Sequence, residues 1–84
     1  MTDTIDPRRL RELRNNALRY IRLNGAGKIK GRVPISELKS HLAATEAEYK
    51  ALYLLFLNDD LARTDGQDEH IGLTDAGRIV ADNL

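Results

Sequence analysis

Four stretches of the chain space their apolar residues as helices do, and three shorter ones read as strands. The densest is Thr45 to Leu57, with seven consecutive apolar positions from Ala51 to Leu57. A short apolar run can be a buried strand. Here about 13 residues of length and the Ala, Glu, Lys and Leu content predict a helix instead. Thr45 followed three residues later by Glu48 predicts a capping box at its start, each side chain satisfying the other's backbone N–H. At about 100° per residue, Glu46, Tyr49, Lys50 and Tyr53 make one narrow polar stripe, and Ala47, Ala51, Leu52, Leu54, Leu55 and Phe56 cover most of the remaining surface. A helix apolar nearly all round is expected to be the one that other elements pack onto.

Asp6-Pro7 opens an earlier helix, with Asp as N-cap and Pro at the first helical position, where its missing N–H costs nothing. It runs to about Leu23 and stops at Gly25. Leu10, Leu13, Ala17 and Ile21, flanked by Leu18 and Tyr20, form its buried stripe. Arg8, Arg11, Asn15, Arg19 and Arg22 fall within roughly 80° of one another on nearly the opposite side, a basic ridge. Residues 24–32 then form a glycine-spaced basic connector with Lys28, Lys30 and Arg32. Val33-Pro34-Ile35 reads as a very short strand, with Pro34 tolerated at a sheet edge or at the next helix start. Ser36 to about Leu42 is a short helix with Ile35, Leu38 and Leu42 inward. Leu61–Thr64 and His70–Leu73 flank an Asp65-Gly66 turn dipeptide and predict a β-hairpin. Thr74 caps a last helix, Asp75 to about Asn83, with Ala76, Ile79, Val80 and Leu84 available to pack. Gly77 within it lowers helix propensity by about 1 kcal/mol relative to Ala and permits close packing.

These elements make one domain across residues 1–84, with residues 1–6 expected to be flexible, and a mainly α fold with a small hairpin (α+β). The chain is 42% hydrophobic and 31% charged, the balance of an ordinary globular protein. Zero cysteines exclude disulfides and thiolate chemistry. The acidic, polar N-terminus is unlike a signal peptide, and no apolar run is long enough to span a bilayer, so a cytoplasmic location is expected. The net charge of zero hides an asymmetry: residues 1–42 carry ten Lys/Arg and four Asp/Glu, residues 43–84 three and nine. Such a bipolar chain fits DNA contact by its first half, head-to-tail contact with another protein, or two plainly solvated faces.

The order of elements resembles the winged helix-turn-helix domain. V-P-I-S-E-L-K-S-H-L is similar to its strand and second helix, T-E-A-E-Y-K-A-L-Y-L-L stands where its recognition helix stands, and L-A-R-T-D-G-Q-D-E-H-I-G-L-T-D-A-G-R resembles its strand, wing and strand with the Leu-Thr-x-x-Gly-Arg ending of small prokaryotic regulators. The resemblance spans roughly residues 7–84 and implies a three-helix core plus wing and C-terminal helix. It implies that the third helix enters the major groove of duplex DNA with Glu46, Tyr49, Lys50 and Tyr53 facing the bases. Ser36, Thr45 and the basic residues around Arg32 would hold phosphates, and Arg8, Arg11, Arg19, Arg22, Lys28 and Lys30 would supply further attraction. A homodimer through the terminal helices is also implied, in a transcriptional regulator or accessory factor.

Other readings stay open at this stage. Glu46 and Lys50 stand as an i,i+4 pair that can neutralise itself, and the tyrosines can be half-buried core. A stripe with Lys50 against two glutamates, followed by an acidic wing at Asp65, Asp68 and Glu69, equally suits a winged-helix module that docks a protein through Tyr49/Tyr53 or the wing. A purely helical domain without a hairpin is a third. Enzymatic chemistry is not expected. Gly27-Lys28 lacks the earlier Gly, the following Ser/Thr and the preceding strand of a phosphate loop. His41 and His70 have no partner at metal-ligand spacing, the Asp65 cluster lacks calcium-loop spacing, and no cofactor is implied.

Overall fold

The computed structural model describes residues 6–25, 32–65 and 69–84. The expectations for residues 1–5, for Lys28 and Lys30 and for Asp68 lie outside them. The elements run α1 (Pro7–Gly25), β1 (Arg32–Pro34), α2 (Ile35–Leu42), α3 (Glu46–Asn58), β2 (Ala62–Thr64), β3 (His70–Leu73) and α4 (Asp75–Asp82). The fold is therefore mainly helical with a small three-stranded antiparallel sheet in the order β1-β3-β2.

Local chemistry explains most element ends. The Asp6 carboxylate accepts the Arg8 N–H at 2.9 Å and starts α1. The Asn24 side chain donates to the Tyr20 carbonyl at its far end. Pro34 closes β1 and stands as N-cap of α2 with φ −62° and ψ 135°, so the fixed ring serves an edge strand and a helix start together. The capping box of α3 forms in both directions, with the Glu48 N–H on Thr45 Oγ1 at 3.1 Å and the Thr45 N–H on Glu48 Oε1 at 3.0 Å. Strands β2 and β3 pair as the hairpin expected, Ala62 opposite Leu73 and Thr64 opposite Ile71, which removes the purely helical alternative.

The centre of the molecule is α1 and not α3. Leu13, Ala17, Leu18 and Ile21 are essentially inaccessible, and this stripe meets Leu38 and Leu42 of α2, Leu52 and Phe56 of α3, Val33 of β1, Ile71 of β3 and Ala81 of α4. The expectation that other elements surround α3 is wrong for a physical reason. Only Leu52 and Phe56 of α3 are buried, while Leu54 and Leu57 remain 51% and 48% exposed. A domain of this size has one core, and two helices cannot both sit inside it.

The packing face of α4 also differs from the one expected. Ile79 is 64% exposed and Ala76 and Leu84 are exposed as well; of the four positions expected to pack, Val80 meets the core, partly buried, beside the buried Gly77 and Ala81. A Cβ built on Gly77 would lie 1.8 Å from the Leu61 carbonyl oxygen, so the missing side chain sets how near α4 comes to the segment before β2. There the Thr74 N–H donates to the Leu61 carbonyl at 3.1 Å, and the Thr74 hydroxyl donates to the Asp60 carbonyl and accepts from the Gly77 N–H.

Candidate nucleic-acid interface

The polar stripe of α3 borders one cleft, and a second cleft, between the start of α2 and the hairpin, shares Ile35 and Lys39 with it. One, of about 230 Å³, is lined by Ile35, Lys39, Tyr49, Tyr53 and Thr64. The other, of about 440 Å³, is lined by Pro34, Ile35, Ser36, Lys39, Glu69 and His70. Three separate pieces of chain thus meet on one concave surface: the start of α2, the middle of α3 and the hairpin strands near their turn.

Side-chain placement within it follows helical and strand geometry. Tyr49 and Tyr53, one turn apart, hold their rings near parallel, with centroids 6.4 Å apart. The Lys39 ammonium lies 4.6 Å from the Tyr49 ring centre and 3.5 Å from a Glu46 carboxylate oxygen. Glu46 therefore pairs with α2 instead of forming the i,i+4 pair with Lys50. Lys50 is exposed and has no carboxylate in ion-pair reach among the described residues. Tyr49 packs partly against the core, as half-buried tyrosines do, and keeps one edge in the cleft. Beside them, His70 Nδ1 sits 3.1 Å from Asp65 Oδ2, and the same carboxylate group accepts the Glu69 N–H.

Other expected site residues lie elsewhere. Arg8, Arg11, Arg19 and Arg22 are exposed on the side of α1 turned away from the core, and none lines either cleft. Arg22 is bound to Asp82 at 3.0 Å and ties α1 to α4. Arg32 is opposite Gly72, which on its other side is opposite Arg63, so both arginines occupy the sheet face away from Val33 and Ile71. Thr45 is committed to its capping box, and Ser36 lines the larger cleft.

Sequence reasoning missed Lys39, Ile35, Thr64 and His70. Ile35 reads from its spacing as core alone. Lys39 follows Ser36 by one helical turn, a spacing that offered a signal for a shared face; Thr64 and His70 had none, because only strand pairing brings them to α3.

Glu48, capping α3 from the side nearer α1, has its carboxyl held below the usual glutamate value. The Thr45 backbone N–H is the main cause and the Arg9 guanidinium, 3.1 Å away, the next. No protein-family profile matches the chain, and neither a curated protein nor a solved structure matches it at a significant level. Among the described residues no helix is long and apolar enough to cross a membrane, and no group of three His, Asp or Glu is placed to hold a metal.

Proposed function

We propose that the chain is a winged helix-turn-helix domain that binds duplex DNA, as a small cytoplasmic transcriptional regulator or accessory factor. The observation that carries this reading is the concave surface on which the start of α2, the polar side of α3 and the hairpin converge. Helix, strand, helix, helix, hairpin, helix with sheet order β1-β3-β2 is the arrangement such a domain needs. In this reading α3 enters the major groove, Lys50 reaches a base edge, Ser36 and Lys39 meet phosphates, and Tyr49 and Tyr53 lie against the groove wall. The α1 ridge contributes long-range attraction from another side of the molecule.

Titration of labelled random duplex at about 50 mM salt tests this, with affinity expected in the micromolar range and a log–log salt slope of only about −2 to −4 for so few cations. No binding at tens of micromolar protein would refute the reading. The domain acts as a homodimer in it, with the exposed apolar residues Leu23, Ile79 and Leu84 of the terminal elements as available surface. Sedimentation at the 9.4 kDa monomer mass at high concentration would exclude that.

A second reading, docking of a protein partner, is favoured by Leu54 and Leu57, exposed one turn apart on α3. Glu69→Lys separates the two. It strengthens binding to DNA, whose phosphates repel the native carboxylate, and weakens binding to a basic protein.

A further inference from the structure

Resting on the DNA reading, we infer that the outward face of α1 is a second duplex-contact surface, so that one domain joins two duplexes. Arg8, Arg11 and Arg19 are exposed on that face, and none of the three has a carboxylate in ion-pair reach among the described residues. Glu12, the carboxylate beside them, lies 4.0 Å from Arg9, and Arg22 is taken by Asp82. At 1.5 Å per residue the row from Arg8 to Arg19 is about 16 Å long, enough to run past roughly five base pairs of backbone.

The composition of the face chooses its occupant. The positions between the arginines are Glu12, Asn15 and Asn16, and the exposed Leu23 lies beyond them. Protein interfaces bury an apolar centre inside a polar rim, and membrane-surface helices bury an apolar face; this row offers neither. A phosphodiester backbone needs only cations. The position of α1 then separates this contact from the one made by α3. Leu13, Ala17 and Ile21 of α1 and Leu52 and Phe56 of α3 fill the same core, so the arginine row and the polar stripe of α3 face outward on different sides of it. A duplex is stiff over about 150 base pairs and does not turn round a body of 42 × 28 × 21 Å to reach both.

The test mixes donor-labelled and acceptor-labelled copies of one duplex at about 50 mM salt and reads energy transfer between them, beside an anisotropy titration of either copy alone. Transfer is expected to rise as protein is added and to fall again at excess protein, when each duplex is covered separately. Its apparent affinity is expected to drop about 40-fold by about 200 mM salt, from the log–log slope of about −2.7 that three arginines give. Arg8→Gln, Arg11→Gln and Arg19→Gln together remove the transfer and leave a weakened anisotropy titration, with far-UV circular dichroism confirming the fold. Anisotropy binding without transfer at any ratio overturns the inference and leaves DNA binding through α3 standing. Transfer that survives the triple substitution also overturns it, since two α3 surfaces of a homodimer would then hold the duplexes. Loss of all binding in the triple variant makes α1 the sole contact and overturns both readings, and no binding by the parent protein does the same.

Discussion

Replacing Gly77 by Ala sets two opposed effects of known size against each other. Alanine raises helix propensity in α4 by about 1 kcal/mol. Its Cβ, however, would stand 1.8 Å from the Leu61 carbonyl oxygen and 2.8 Å from the carbonyl carbon, both backbone atoms with no rotamer to escape through. Since carbon contacts are favourable only from about 3.5 Å, α4 must withdraw by well over 1 Å. That movement stretches the Thr74 N–H bond to the Leu61 carbonyl and opens the seat of Ala81 in the core. Overpacking of this kind costs about 1–3 kcal/mol, and a lost buried hydrogen bond about 1 kcal/mol more. A net loss of about 1–3 kcal/mol is expected after the propensity gain, or a fall in Tm of roughly 4–8 °C for each kcal/mol. Urea and thermal unfolding followed by circular dichroism at 222 nm read it directly. A Gly77→Ala variant as stable as the parent would refute the close approach of α4 to the Leu61 segment.

Three further outcomes follow from named contacts. Phe56→Ala is expected to cost about 3–5 kcal/mol and Leu54→Ser less than about 0.5 kcal/mol; similar losses in chemical denaturation would mean that α3 buries a different face. Ala43, the αL cap of α2 at φ 51°, is exposed and gains from Gly, so Ala43→Gly should stabilise by about 0.5–1 kcal/mol in the same assay, and a loss would contradict that cap geometry. Glu48 has a depressed pKa, so its folded-state contribution is present above the ordinary value of 4.5 and disappears as pH falls below it through the folded value. Unfolding midpoints measured from neutral pH downward should therefore fall less steeply in Glu48→Gln than in the parent, and parallel curves would show that the cap and Arg9 do not act on this carboxyl.

The sequence by itself determined the elements, because their signals are local. Asp6-Pro7, Thr45 with Glu48, and Thr74 each satisfy backbone groups within one turn of themselves, so the starts of α1, α3 and α4 were legible residue by residue. The hairpin was legible from two short apolar runs around Asp65-Gly66, and the packing stripe of α1 from its 3.6-residue period. Which helix lies at the centre was not, since apolar content counts residues without saying which of two competing faces the single core admits. Only tertiary packing left Leu54 and Leu57 outside, turned α4 onto Gly77 and Ala81, and bound Glu46 to Lys39 across two helices. The same holds for the candidate interface. Tyr49 and Tyr53 announced themselves by spacing, whereas Thr64 and His70 joined them only because antiparallel pairing carries the hairpin to the side of α3. Contacts between residues distant in sequence depend on how all the elements share one small core, and no local pattern encodes that.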